Sequence, residues 1–144
     1  MAVGRQGSSA VTITLDDAPG GSGVAIHGFV MTMGGAKIVV EKEQSDTFGD
    51  FWREHTPTGF RSSPDIPISG FFNTTPTTGS HAVLKPTDND AVPDGGTRTL
   101  VIVFGDSKTF TVETILSEYE VVGEVGKLTK FNAVLTPTGA AVWS

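Results

Sequence analysis

The chain has 144 residues, of which 38% are hydrophobic and 18% charged, with a net charge of −6 and no cysteine. This length points to one domain, 1–144, able to bury about 68% of its unfolded surface, and the apolar fraction excludes wholesale disorder. Without cysteine there are no disulfides, thiolate metal sites or cysteine nucleophiles. The lysines and arginines are scattered, so the basic stripe that tight nucleic-acid binding needs is missing.

No run approaches the roughly 20 apolar residues of a membrane-spanning helix. The segment from Met1 to Ser9 lacks the apolar stretch of a signal peptide, so folding in a cytoplasm is expected, with residues 1–9 flexible. Val11 to Leu15 alternates apolar and polar residues, which predicts a half-buried strand. Asp16 to Gly23 has turn composition. Val24 to Val30 and Ala36 to Glu41 read as two further strands, with Gly34-Gly35 suited to a hairpin between them.

Phe48, Phe51, Trp52 and His55 fall at i, i+3, i+4 and i+7, the spacing of one helix face. Thr47 and Asp50 stand three apart, as in a capping box, and Pro57 stops the segment because the residue before proline avoids the helical region. A short helix is therefore expected here, inside a long excursion near 42–65.

Ile66 to Phe72 reads as a strand with Ile66, Ile68, Gly70 and Phe72 on one face. From 73 to 97 the pattern weakens; Ala82-Val83-Leu84 is its one apolar cluster. Lys85 to Gly96 reads as an exposed loop, and deletion of residues 86–96 is expected to leave a folded domain. A loop of such length in a small domain is usually functional or mobile.

Leu100 to Phe104 is apolar without alternation, as in a strand covered on both faces. After a turn at Gly105-Asp106-Ser107, Phe110, Val112, Thr114 and Leu116 share a face. Tyr119 and Val121 then take the opposite phase, which predicts a bulge near Ser117-Glu118. Gly123 to Gly126 makes the next turn, and Phe131, Ala133 and Leu135 face the core from the last strand. Thr-Pro-Thr-Gly occurs at 56–59 and again at 136–139, a repeat that shared turn chemistry explains.

The chemistry of an enzyme is not indicated. His27, His55 and His81 lie far apart and form no metal-binding pair. Asp88-Asn89-Asp90 with Asp94-Gly95 lacks the ligand order and twelfth-position Glu of a calcium loop. Gly20-Gly21-Ser22-Gly23 lacks the Lys-Ser/Thr and following helix of a phosphate cradle. Phe60 and Trp143 are apolar rings in a loop and near the chain end. They either pack on the edge of the core or anchor a neighbouring subunit, as interface aromatics do.

The order of these pieces resembles the tail tube proteins of long-tailed bacteriophages. The likeness rests on Val11 to Gly20, Thr47-Phe48-Gly49-Asp50-Phe51-Trp52, Ile68-Ser69-Gly70-Phe71-Phe72, Arg98-Thr99, and Gly123 to Leu128 with Leu135-Thr136-Pro137-Thr138-Gly139. It implies a mostly β fold, a two-sheet antiparallel β-sandwich with one short flanking helix, and no catalytic, cofactor or metal residues. It also implies copies of the chain in hexameric rings, stacked into a tube that carries genome DNA without binding it specifically. The implied partners are tape-measure, tail-terminator and tail-tip proteins, in the virion tail, with no membrane.

Open sheet edges agree with this picture, since unpaired strand groups invite pairing with another copy and head-to-tail pairing closes a ring when the rotation is right. The expected inter-subunit contacts are Phe60, Arg61, Asp88, Asp90, Asp94 and Trp143. The rival readings are a β-sandwich binding module for carbohydrate or a receptor, as in a tail-tip or decoration protein, and another tube-forming or tail-completion protein of the same fold.

Overall fold

The computed structural model describes residues 11–144; the segment 1–9, expected to be flexible, lies outside them. Seven strands form one antiparallel sheet in the spatial order β2-β1-β7-β8-β9-β6-β3. They are β1 (Thr12–Asp16), β2 (Gly23–Ala25), β3 (Val30–Met33), β6 (Ile66–Phe71), β7 (Arg98–Val103), β8 (Thr109–Val122) and β9 (Lys130–Trp143). The remaining two, β4 (Val39–Gln44) and β5 (His55–Ser62), pair only with each other.

Alternation sets the core. Ile13 and Leu15, Leu100 and Ile102, Phe110 and Val112, Phe131 and Leu135, and Ile66 and Ile68 all point to one face and are buried. The other face of β7 (Thr99, Val101, Val103) is only half-buried, so the double coverage expected for this strand is present on one side. The bulge expected near Ser117 is found: Leu116 pairs with Leu135 and Glu118 with Val134, leaving Ser117 as the extra residue.

The sheet does not divide into the two packed layers of the expected sandwich. It curls instead, and a short connection shows why. The expected single strand 24–30 is broken, with its first part pairing at one margin (β2 with β1) and its last at the other (β3 with β6). Five residue steps from Ala25 to Val30 reach at most about 18 Å, whereas a flat sheet of seven strands is about 29 Å across. The two margins must therefore approach each other around the core.

Gly70 makes the crossing tight. A Cβ there would lie 1.9 Å from the Phe29 carbonyl oxygen, while the Phe71 N–H donates to that same oxygen at 2.9 Å. Phe29 then packs edge-on against Phe131 at 6.5 Å between centroids. Gly34-Gly35 does not make the expected hairpin but leads from β3 toward β4, with the Gly34 N–H donating to the Pro67 carbonyl.

The helix is elsewhere than expected. Among the described residues the one α-helix is α1 (Ser80–Leu84), whose Val83 and Leu84 are fully buried. Thr47 and Asp50 do make the anticipated hydrogen bonds, but they close a tight turn and no helix follows. A helix this short is unstable without packing, and none of the described residues covers Phe48, Phe51 or Trp52.

The stretch after α1 is not a free loop. Asp88–Ala91 forms a 3-10 turn capped reciprocally by Thr87 and Asp90. Arg98, fully buried, binds Asp90 through Nε and Nη2 at 2.8 and 2.7 Å. Its Nη1 also donates to the carbonyls of Val83 and Asp16. One guanidinium thus ties α1, the 3-10 turn and β1 to β7.

Candidate functional site

Two exposed surfaces stand out, and the first is the outward face of the curled sheet. Residues opposite in phase to the core carry hydroxyl, amide and carboxylate groups, linked across the strands. Thr32 bonds Ser69 between β3 and β6, and the Asn132 amide donates to Glu120 between β9 and β8. Ser117 bonds Thr136, and the Thr99 hydroxyl donates to Glu113 between β7 and β8. Such rungs satisfy polar side chains across a pleated face and stabilise strand pairs modestly. Glu113, Glu118 and Glu120 are exposed on it. The two ion pairs among the described residues, Arg98–Asp90 and Lys127–Glu124, involve none of the three.

The second surface is the ribbon of β4 and β5. Every residue of both strands is exposed, and its tip presents Phe48, Phe51 and Trp52 at 113%, 99% and 85% exposure. Contiguous exposed apolar groups of this kind mark interaction sites. The tip itself is ordered by hydrogen bonds: the Ser45 N–H donates to the Glu54 carbonyl at 3.0 Å and the Glu54 N–H to the Asp46 carboxylate at 2.5 Å.

The repeated Thr-Pro-Thr-Gly turns out to be a strand irregularity used twice. In β5, residues 58–60 lie opposite the single residue Glu41; in β9, residues 139–141 lie opposite the single residue Val112. Gly59 and Gly139 have φ of +93° and +75°, the left-handed region that glycine enters without penalty. The two irregularities border one open groove of about 420 Å³ at the base of the ribbon.

The six residues singled out from the sequence fall into three groups. Phe60 and Arg61 are exposed and line this groove. Asp88, in the 3-10 turn, and Asp94, just after it, are exposed. Trp143 is half exposed, stacked on Phe104 at 5.8 Å and packed on Phe110 at 4.9 Å, so its ring serves this chain's own core edge. Asp90 is committed within the chain, its side chain 6% exposed against Arg98. Burial pushes its pKa upward, but the hydrogen bonds from Arg98 and Thr87 and the Arg98 charge outweigh this and hold it below the ordinary 3.8.

Arg98 was not singled out for this role, yet a signal existed. It stands in phase with Leu100 and Ile102, on the buried face, and a buried charge requires a partner.

The histidines do not converge. His27 lies in the turn between β2 and β3, His55 begins β5, and His81 sits on α1, where its Nδ1 is 3.0 Å from the Tyr119 hydroxyl. Burial raises the Tyr119 pKa, which keeps it a neutral hydrogen-bonding partner. Among the described residues no group of three or more acidic or histidine side chains is placed to hold a metal ion.

No protein-family model matches the chain, and no curated protein matches it. Solved structures do. A chain from the tail of an empty gene transfer agent particle, refined with helical C6 symmetry, superposes with a TM-score of 0.73 at 15% identity, covering 97% of this chain and 99% of its own. A chain of the SPP1 tail tube gives 0.67 at 14% identity, over 96% and 78%. One from the baseplate of an anti-feeding prophage gives 0.66 at 10% identity, over 100% and 95%. The chain has the fold of these tail proteins.

Proposed function

We propose that this chain is a structural subunit of a phage-type tail tube, with no catalytic role, located in the virion tail. Copies join in hexameric rings, the rings stack, and the polar outward face of the sheet lines the bore. The observation that carries this reading is the acidic face itself, joined to a fold shared over nearly the whole chain with tail and tail tube structures.

With Glu113, Glu118 and Glu120 exposed against Lys130 on the same face, the wall keeps a net negative charge that repels DNA phosphates coming near it. At physiological ionic strength the repulsion fades over about 8 Å, so the polymer is left free along the axis. The exposed ribbon and the exposed residues Phe60, Arg61, Asp88 and Asp94 supply contacts between copies. Tape-measure, tail-terminator and tail-tip proteins are the further partners that this role requires. Electron microscopy of concentrated protein tests the reading: rings or tubes with a central hole are expected, and discrete monomers at every concentration and salt would overturn it.

A binding module for carbohydrate is the second reading, favoured by the bare rings of Phe51 and Trp52. Hits on a glycan array from protein that forms no assemblies would support it over the first.

A further inference from the structure

We infer that the groove between the two Thr-Pro-Thr-Gly irregularities is the receptor for the aromatic ribbon tip of another copy of this chain. This rests on the self-assembly proposed above and assigns the two halves of one contact. The tip carries three rings that none of the described residues covers. The groove, about 420 Å³ and bordered by Ile38, Phe60, Arg61, Ser62, Gly139 and Ala140, mixes apolar and polar groups, and its lining glycines and alanines leave room for side chains from outside.

Tip and groove cannot meet within one chain. The tip precedes His55, the groove begins at Gly59, about 13 Å further along the strand, and the pairing of His55 with Gln44 through Ser62 with Val39 holds the ribbon extended between them. A knob and a hole at separate places on one molecule make a head-to-tail contact, the kind that builds rings or open filaments.

Charge favours the match. The tip region carries Asp46, Asp50 and Glu54 against the single cation Arg53, while the one charged residue of the groove is Arg61. Complementary charge steers encounter and fixes orientation more than it adds affinity. Area sets the strength. Three rings bury about 150–250 Å² each, so tip and groove together reach roughly 1,000 Å², the lower limit of a specific interface. A single contact of that size is weak. Many in register add up, because each further contact is made at high effective concentration.

The chain has no cysteine, so single cysteines report the contact cleanly. Asp50→Cys protein and Ala140→Cys protein are mixed under assembling conditions and treated with a short bis-maleimide. The expected result is a 50-to-140 linked dimer as the main product, several-fold above a control that pairs Asp50→Cys with Asp106→Cys. Separately, Ala140→Trp, which fills the groove, is expected to fold normally and fail to assemble. Tubes without the 50-to-140 link, or tubes formed by Ala140→Trp, would overturn the receptor assignment and leave self-assembly standing. No assembly by the parent chain under any condition would overturn both.

Discussion

Two excursions interrupt the main sheet, and they have opposite fates. The stretch from Ser80 to Arg98 is drawn into the molecule: Ser80, Val83, Leu84 and Arg98 are fully buried and no buried side-chain polar atom among the described residues lacks a partner. The ribbon from Val39 to Ser62 turns every residue of its strands to solvent. Both have the turn-rich, weakly patterned sequence of surface loops. What separates them is a single charged residue in a buried phase, Arg98, which obliges the first excursion to fold back and satisfy it. The ribbon has no such anchor. A lone two-stranded ribbon is marginal in water, and its apolar residues are left without cover among the described residues.

The sharpest way to break this comparison is to remove residues 86–96. The sequence alone favours a dispensable loop. In the structure the deletion strips Arg98 of Asp90, its ion-pair partner, and a buried, unpaired charge is among the most destabilising of defects. Loss of cooperative thermal unfolding is expected; retention of a sharp transition would show that the clamp is not a stabilising element.

Asp90→Ala isolates the same defect. It leaves the fully buried Arg98 guanidinium without its carboxylate and is expected to destabilise by about 3–5 kcal/mol, read from urea denaturation. The pH dependence has a definite sign. Asp90's folded pKa lies below its ordinary 3.8, so its stabilisation is fully present above that value and is lost as pH falls through the lower folded value. In Asp90→Ala this acid-dependent component should vanish from the stability profile.

How much was legible beforehand depended on whether a pattern reported packing within the chain. The bulge at Ser117 was legible because strand side chains alternate, and a one-residue slip flips every later side chain; Leu116 and Tyr119 record it. The break after Ala25 was hidden, since Val24, Ile26 and Val30 keep one phase through the turn. The helix spacing of Phe48, Phe51, Trp52 and His55 misled for a different reason. An apolar face specifies a helix only where something packs on it, and among the described residues nothing does. The acidic sheet face was legible as net charge but not as a place, because Glu113 and Glu118 differ in sequence parity and share a face only through the bulge at Ser117.

The repeated tetrapeptide allows one substitution to be made in both regions. Gly139 and Gly59 each have positive φ, and no atom lies within 4 Å of a Cβ added at either, so alanine at either site meets only the backbone penalty of about 1–2 kcal/mol. Gly139→Ala sits in β9, inside the cooperative sheet, and the full penalty should appear in global unfolding. Gly59→Ala sits in the ribbon, which can open locally without the sheet, and its global effect should stay below about 0.5 kcal/mol. Equal losses would mean that ribbon and sheet unfold as one unit.

The smallest expected effect sharpens the comparison most. Trp52 is 85% exposed and touches no other ring in the chain, whereas Trp143 is stacked on Phe104. Trp52→Ala should leave the stability of dilute protein within about 0.5 kcal/mol, as for surface sites free of special contacts, while Trp143→Ala should lower it by removing packing at the core edge. Acrylamide quenching divides the two states of the ribbon. In dilute protein Trp52 should be fully accessible; in concentrated protein its quenching should fall while that of Trp143 changes little. A Trp52 that stays equally quenchable in assembled protein would mean that the ribbon tip remains bare, and that the apolar surface of this region serves some contact other than one between copies.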